Sequence, residues 1–257
     1  MAERKYGWQA QTPDFRDLQF KGSTWFRRML IRWGVLGHID LTEKMPPVFD
    51  QGALGSCVAN ATSAAVIAES TDKTLLSRLF LYFNARTAGY SGKDLWWAMN
   101  HDMGATIRNG LKSVVKDGSI PETEWPYDIT TFANPPSDQM NADAKNDLVT
   151  KYYYVPQDSM SIKCALLEGF PVVFGISVYE SFEQVTDGNI PMPQPNEKLL
   201  GGHAILLVGF DNHTQKFKFR NSWGSGWGQN GYGTLPFDYV LNAGLASDFW
   251  IVEKTTV

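Results

Sequence analysis

Gln51-Gly52-Ala53-Leu54-Gly55-Ser56-Cys57 runs directly into Val58-Ala59-Asn60-Ala61-Thr62-Ser63-Ala64-Ala65-Val66-Ile67-Ala68-Glu69. The second segment is small, Ala-rich and suited to a helix over 56–69. The first is a turn, because its glycines accept positive φ and let backbones approach closely. A cysteine thus stands at the first turn of a helix. Unpaired N–H groups and the helix dipole there lower a thiol's pKa, and the thiolate is the nucleophilic form. Taken alone, the stretch also fits a buried, inert cysteine.

Two other stretches sharpen that reading. Gly201-Gly202-His203-Ala204-Ile205 puts a histidine at the start of an apolar strand, able to reach across a cleft while its strand stays packed. Asn221-Ser222-Trp223-Gly224-Ser225-Gly226-Trp227-Gly228 ends a strand on an asparagine followed by two tryptophans. An asparagine oxygen can accept from a histidine Nδ1–H and fix its tautomer, and a neighbouring Trp can shield that bond. The glycines form no phosphate loop, since the Lys-Ser/Thr ending is missing. Gln51 adds an amide donor six residues before the cysteine. Nucleophile, base, orienting amide and amide donor together point to nucleophilic catalysis by a thiol. His38, His101 and His213 show no metal-ligand spacing, and neither metal nor other cofactor is expected.

The chain has 257 residues, of which 43 % are hydrophobic and 13 % aromatic, so it can bury a core and disorder is excluded as its main state. A net charge of −4 argues against nucleic acid as a partner. No fixed repeat period is found. Two cysteines, Cys57 and Cys164, cannot build a disulfide framework. The N-terminal MAERKYGWQA lacks the apolar run of a secretory signal, and no stretch approaches the roughly 18 apolar residues of a membrane span. The sequon at Asn60-Ala61-Thr62 falls inside the helix, where a glycan would not fit. The expectation is a cytoplasmic monomer without a membrane partner, with export by a non-classical route left open.

Residues 1–44 carry eight Lys/Arg against five Asp/Glu, which makes this arm +3 and the remainder −7. Trp8, Trp25, Phe26 and Trp33 lie in it, and Trp25–Arg32 could form a short amphipathic helix. Either the arm docks structurally by its aromatics or it is a regulatory cover of a cleft. Helices are expected at 77–88, 105–116 and 159–168, the last holding Cys164 in an apolar, inert setting. Residues 121–147 read as a loop crossing between lobes. Strands are expected at 172–178, 203–210, 216–220 and 232–235. The chain beyond the arm, 45–257, then divides into a mainly helical part, 45–128, and a mainly β part, 129–257, giving an α+β protein with a cleft between lobes.

The three motifs, in this order, resemble those of papain-like cysteine peptidases, and the match spans roughly Met45 to Val252. Met45-Pro46-Pro47-Val48-Phe49-Asp50-Gln51, Tyr6-Gly7-Trp8 with Pro13-Asp14-Phe15-Arg16-Asp17, Gly104–Gly110 and Ala246-Ser247-Asp248-Phe249-Trp250 look like the bacterial xylellain-like branch. The resemblance implies a two-lobe fold with a helical left lobe and a β-barrel right lobe. It implies hydrolysis of peptide or protein substrates through an acyl-enzyme. Cys57 would be nucleophile, His203 base and acid, and Asn221 the residue orienting His203. Gln51 and the Cys57 N–H would form the oxyanion hole, Trp223 would cover the His–Asn bond, and Trp227 would line the leaving-group side. Cys57 is then expected as a thiolate already at mildly acidic pH.

Leu54 stands where secreted members have a half-cystine and Val58 where many have Trp, and the 44 residues before the core are expected not to form the long helical propeptide of secreted members. The same triad could instead transfer the acyl group to an amine, as a ligase, or persist on a silent binding protein. In papain-like enzymes the main selective pocket takes the side chain two residues before the scissile bond. Alignment on Phe249 puts its floor at Ser247 or Asp248, with Gly104 offering backbone to the substrate. Strict alternation would let only one of Ser247 and Asp248 face inward, the apolar pocket with Ser247 being favoured because an empty-pocket Asp costs desolvation.

Overall fold

The computed structural model describes residues 4–22, 29, 37–144 and 151–253. Helix α1 (Cys57–Glu69) is the hub, and residues 57–68 are all buried. Small side chains let it be covered on every side rather than along one stripe. It packs on α2 (Arg78–Thr87), which follows the Ser77 cap, and on α4 (Ile107–Asp117), which follows the Thr106 cap. Each cap's hydroxyl accepts from the N–H three residues on, as hydroxyl caps do at helix starts. Between them lies α3 (Gly92–Asn100), which the sequence reading did not anticipate.

The second part is built on one antiparallel sheet: β1 (His38–Asp40), β2 (Lys151–Tyr154), β3 (Val172–Tyr179), β4 (Leu199–Asp211), β5 (Lys216–Arg220), β6 (Tyr232–Pro236) and β7 (Ala246–Glu253). Their order is β2-β7-β3-β4-β5-β6, with β1 alongside β4. The expected barrel is therefore corrected: β2 and β6 do not pair with each other among the described residues. Closure is not needed, because both sheet faces are covered. Ala204, Leu206 and Val208 of β4 join the core of α1, while Ile205 and Leu207 join a second core with Phe174, Phe217 and Phe249. Two-residue alternation thus splits one apolar strand between two cores.

Residues 121–147 are less irregular than expected. They hold a 3-10 turn at Ile129–Thr131 and helix α5 (Asp138–Ala144). Helix α6 (Ser159–Leu167) is capped by Asp158 and buries Cys164 completely. Short helices α7 (Glu180–Gln184) and α8 (Phe237–Leu241) complete the β part. All but Met29 of the expected helix at Trp25–Arg32 lies outside the described residues. The end of the arm is structural, since β1 pairs with β4.

Candidate active site

Helix α1 begins at Cys57, whose side chain is fully buried. Ser56 does not cap the helix with its hydroxyl, which instead meets Tyr127 Oη at 2.5 Å. The free N–H groups of the first turn remain available to the sulfur. His203 lies on β4, opposite Ile176 of β3. Leu206 of β4 pairs with Arg220, the last residue of β5, so Asn221 falls diagonal to His203 across the ladder. His203 Nε2 lies 2.9 Å from Asn221 Oδ1. The expected Nδ1–H donor is thus corrected to Nε2. The same Oδ1 accepts from Ser222 N–H at 2.8 Å, so it acts as acceptor and Nε2 carries the proton. Nδ1 is left buried, unprotonated and without a hydrogen-bond partner among the described residues.

Trp223 stacks on the His203 ring at 4.9 Å and 23°, where the sequence placed it as a cover. Trp227 sits behind it, edge-on to Trp223 at 5.4 Å and stacked on Phe182. Gln51 is held rigidly. Its Oε1 accepts from Ser222 Oγ at 2.7 Å and its Nε2 donates to Leu54 O at 2.9 Å. Leu54 is buried where a half-cystine was noted as missing, and Cys57 and Cys164 are both free thiols.

The arm fills the cleft. Gln51 Nε2 also donates to the Lys5 carbonyl at 3.2 Å. Arg4 lies 4.0 Å above the Trp223 ring, and Tyr6 packs edge-on to His203 and donates to Glu183. Gly7 is pressed on Gly55: a Cβ there would come 1.8 Å from the Gly55 carbonyl oxygen. Gly104, at φ +75°, has the same constraint, its Cβ position lying 2.1 Å from the Gly7 oxygen. Ala105 N–H donates to Gly7 O and Gln9 N–H to Ala105 O, a parallel bridge centred on Trp8. Trp8 N–H donates to Gly202 O, and its indole fills the space that side chains at Gly175 and Gly202 would need. A glycine inside the apolar strand Val172-Val173-Phe174-Gly175-Ile176 is a sequence sign of such close approach, and it was missed.

Asp248, not Ser247, turns toward the arm. Its carboxylate accepts from Gln11 N–H at 3.3 Å. Strict alternation fails because Asp248 sits at φ 60° in a region where the β3–β7 register shifts. Burial pushes its carboxyl up to about 6, against the Gln11 N–H and the Trp8 indole, which favour the charge.

Burial also decides the protonation of the pair. It raises the Cys57 thiol to about 11, although N–H groups of Ala204, Gly7 and Val58 favour the thiolate. It lowers His203 to about 4, opposed by Asn221 and reinforced by the Arg4 charge. The expected thiolate at mildly acidic pH is thus corrected for the covered cleft: both groups are neutral there, because neither charge is solvated.

A profile described as "Papain family cysteine protease" matches residues 37–250. The crystal structure of xylellain, a cysteine protease from Xylella fastidiosa, superposes with a TM-score of 0.86 at 37 % identity, covering 100 % of this chain and 99 % of that one. The uncharacterized peptidase C1-like protein L477 of Acanthamoeba polyphaga mimivirus is 41 % identical over 223 residues, 80 % of this chain and 70 % of that protein. Gamete and mating-type specific protein A of Dictyostelium discoideum is 30 % identical over 201 residues, and this chain spans 41 % of its length. The chain belongs to the papain family of cysteine proteases.

Proposed function

We propose that the chain hydrolyses peptide bonds through Cys57, His203, Asn221 and Gln51, and that residues 4–11 hold it covered until they leave. The observation that carries this reading is a carbonyl, that of Lys5, seated on the Gln51 amide beside Cys57. In the uncovered cleft His203 Nδ1, whose lone pair is free, takes the thiol proton. Asn221 holds the ring through Nε2–H. The Sγ then bonds to the scissile carbonyl carbon, and the developing oxyanion accepts from Gln51 Nε2 and Cys57 N–H. Such donors are worth about 3–4 kcal/mol each. His203 returns the proton to the leaving amine as the C–N bond breaks, and water releases the acyl group.

The arm is not cleaved because it lies backwards. Substrates of papain-like enzymes enter the pocket near Asp248 with the side chain two residues before the scissile bond. Their leaving groups lie on the tryptophan side. The arm runs from Trp223, at Arg4, toward Asp248, at Trp8. An amide N–H, that of Gly7, faces the sulfur instead of a carbonyl carbon. Peptide-library cleavage by the full-length chain and its Cys57→Ala variant tests the reading. Cleavage that survives Cys57→Ala overturns it.

A further inference from the structure

The two oxyanion donors belong to different segments. Gln51 lies in the turn before α1, and the Cys57 N–H opens that helix. Ser222, in the β part, holds Gln51 at two points: its Oγ donates to Gln51 Oε1, and its carbonyl accepts from Gln51 N–H at 2.9 Å. Neither bond sets how far Gln51 stands from the helix start. Tyr127 does, because it touches both. Its Oη donates to Gln51 O at 3.1 Å and meets Ser56 Oγ at 2.5 Å. Leu54 N–H reaches the same carbonyl at a longer 3.4 Å.

The place of each proton follows. A carbonyl only accepts, so the single Tyr127 proton goes to Gln51. The Ser56 hydroxyl then donates to Tyr127 Oη. Ser56 Oγ accepts in turn from Asn60 Nδ2 at 3.0 Å, and both residues are buried. Asn60 Oδ1 accepts from Arg78 Nη1 at 3.1 Å, and Arg78 forks onto Glu122 at 2.8 and 2.6 Å. One directed chain thus runs from an ion pair to the Gln51 carbonyl. Burial pushes the Tyr127 phenol above its ordinary range, so it remains a donor. Ring packing does not need the oxygen. The Arg78 guanidinium lies 3.9 Å from the Tyr127 ring and 4.5 Å from that of Phe49, contacts a phenylalanine would keep.

We propose that Tyr127 is a positioning residue for catalysis: its hydroxyl ties the Gln51 carbonyl to Ser56, the residue bonded to the Cys57 nitrogen, and so fixes the spacing of the two oxyanion donors. This rests on the peptidase reading above. Tyr127 touches neither substrate nor sulfur in this role. It acts through Gln51, and its effect vanishes where Gln51 has no amide to place. A misplacement of about 1 Å at a reacting group can cost 10²-fold, so a loosened tie is felt in kcat.

The test is a double-mutant cycle in the full-length chain on one peptide that the parent cleaves. Tyr127→Phe should lower kcat about tenfold with KM changed less than about twofold. In the Gln51→Ala background the same change should cost less than about twofold. A residue that only supports the fold would cost the same factor in both backgrounds. Equal factors, a parent-like kcat in Tyr127→Phe, or a loss carried by KM overturns the proposal. Iodoacetamide reads the sulfur without using the oxyanion donors. Its rate at Cys57 should change less than twofold in Tyr127→Phe; a loss matching that in kcat puts the role at the sulfur or in the fold and overturns the proposal. Ser56→Ala breaks the chain one link earlier. It should reproduce the kcat loss and add less than twofold to Tyr127→Phe, and losses that multiply overturn the shared chain. A parent that cleaves no peptide removes the peptidase reading and this role together; a parent that cleaves while the losses multiply removes this role alone.

Discussion

Gly7 and Gly55 touch backbone to backbone, and a single methyl group on Gly7 would lie 1.8 Å from the Gly55 oxygen. The contact sits one residue before the Ser56-Cys57 turn, so whatever displaces Gly7 uncovers the sulfur. Gly7→Ala is expected to expel the arm from the cleft without touching a core residue. Each ~1.4 kcal/mol of docking lost is tenfold in the uncovered population. The alkylation rate of Cys57 in the full-length variant should rise at least tenfold over the parent. An unchanged rate would mean that the arm does not limit access.

Trp8 is the arm's main apolar anchor, filling the hollow made by Gly175 and Gly202. Trp8 is partly buried, so its truncation to Ala loses part of the about 3–5 kcal/mol that a fully buried aromatic costs. Trp8→Ala should therefore also expose Cys57, and should admit peptides with a large apolar side chain to the vacated hollow. Peptide turnover by this variant, compared with the parent at equal concentration, checks it; equal turnover contradicts the anchor role.

Charge on the pair should follow cover. In the parent, burial holds Cys57 at about 11 and His203 at about 4, so the rate of alkylation by iodoacetamide should climb only in alkaline buffer. In Gly7→Ala the sulfur meets water, and the helix start together with His203 favours the thiolate. Its labelling should already be substantial at pH 5–6. Superimposable pH profiles would refute the link between cover and protonation. Cys164 is buried in both states and should stay unlabelled on peptide mapping.

Gln51→Ala removes one oxyanion donor and should lower kcat by about 10²–10³-fold with KM little changed. Asn221→Ala should cost less than His203→Ala, since the base survives while its orientation is lost. Steady-state kinetics on one cleaved peptide separate the three; equal losses for Asn221 and His203 would give Asn221 more than an orienting part.

The helices and strands that build the cleft were legible because each carries its own period or motif. Cys57 opens a helix and Asn221 directly follows a strand, as their neighbours predicted, while His203 is the fifth residue of β4 rather than its first, because the glycines before it also pair with β3. Tertiary partners were not legible. Nothing local says that Trp8 will lie on Gly175, 167 positions away, or that Asp102 will hold Gly55. The His203 nitrogen was misjudged because the sequence gives no ring orientation. The thiolate expectation differs because burial of the sulfur outweighs the helix start.

Asp248 and His203 should bend the stability of the folded chain in opposite directions with pH. Asp248 is raised to about 6 from an ordinary 3.8, so between these values the folded chain keeps a proton that the unfolded chain releases. Its contribution is greatest below pH 4 and is lost as pH rises through 6. His203 is lowered to about 4 from an ordinary 6.5, so the unfolded chain binds a proton that the folded chain refuses. Its contribution is full above 6.5 and is lost as pH falls toward 4. Over that window the two slopes oppose. Asp248→Asn keeps an acceptor for Gln11 N–H and removes one slope. The Tm of the variant should exceed that of the parent by an amount that grows from pH 4 to 6 and then levels, reaching a few degrees. Its own stability should fall more steeply on acidification than the parent's. Calorimetric scans at pH 4, 5, 6 and 7 measure both curves, and parallel curves would show that the Asp248 carboxyl is not held protonated by the fold.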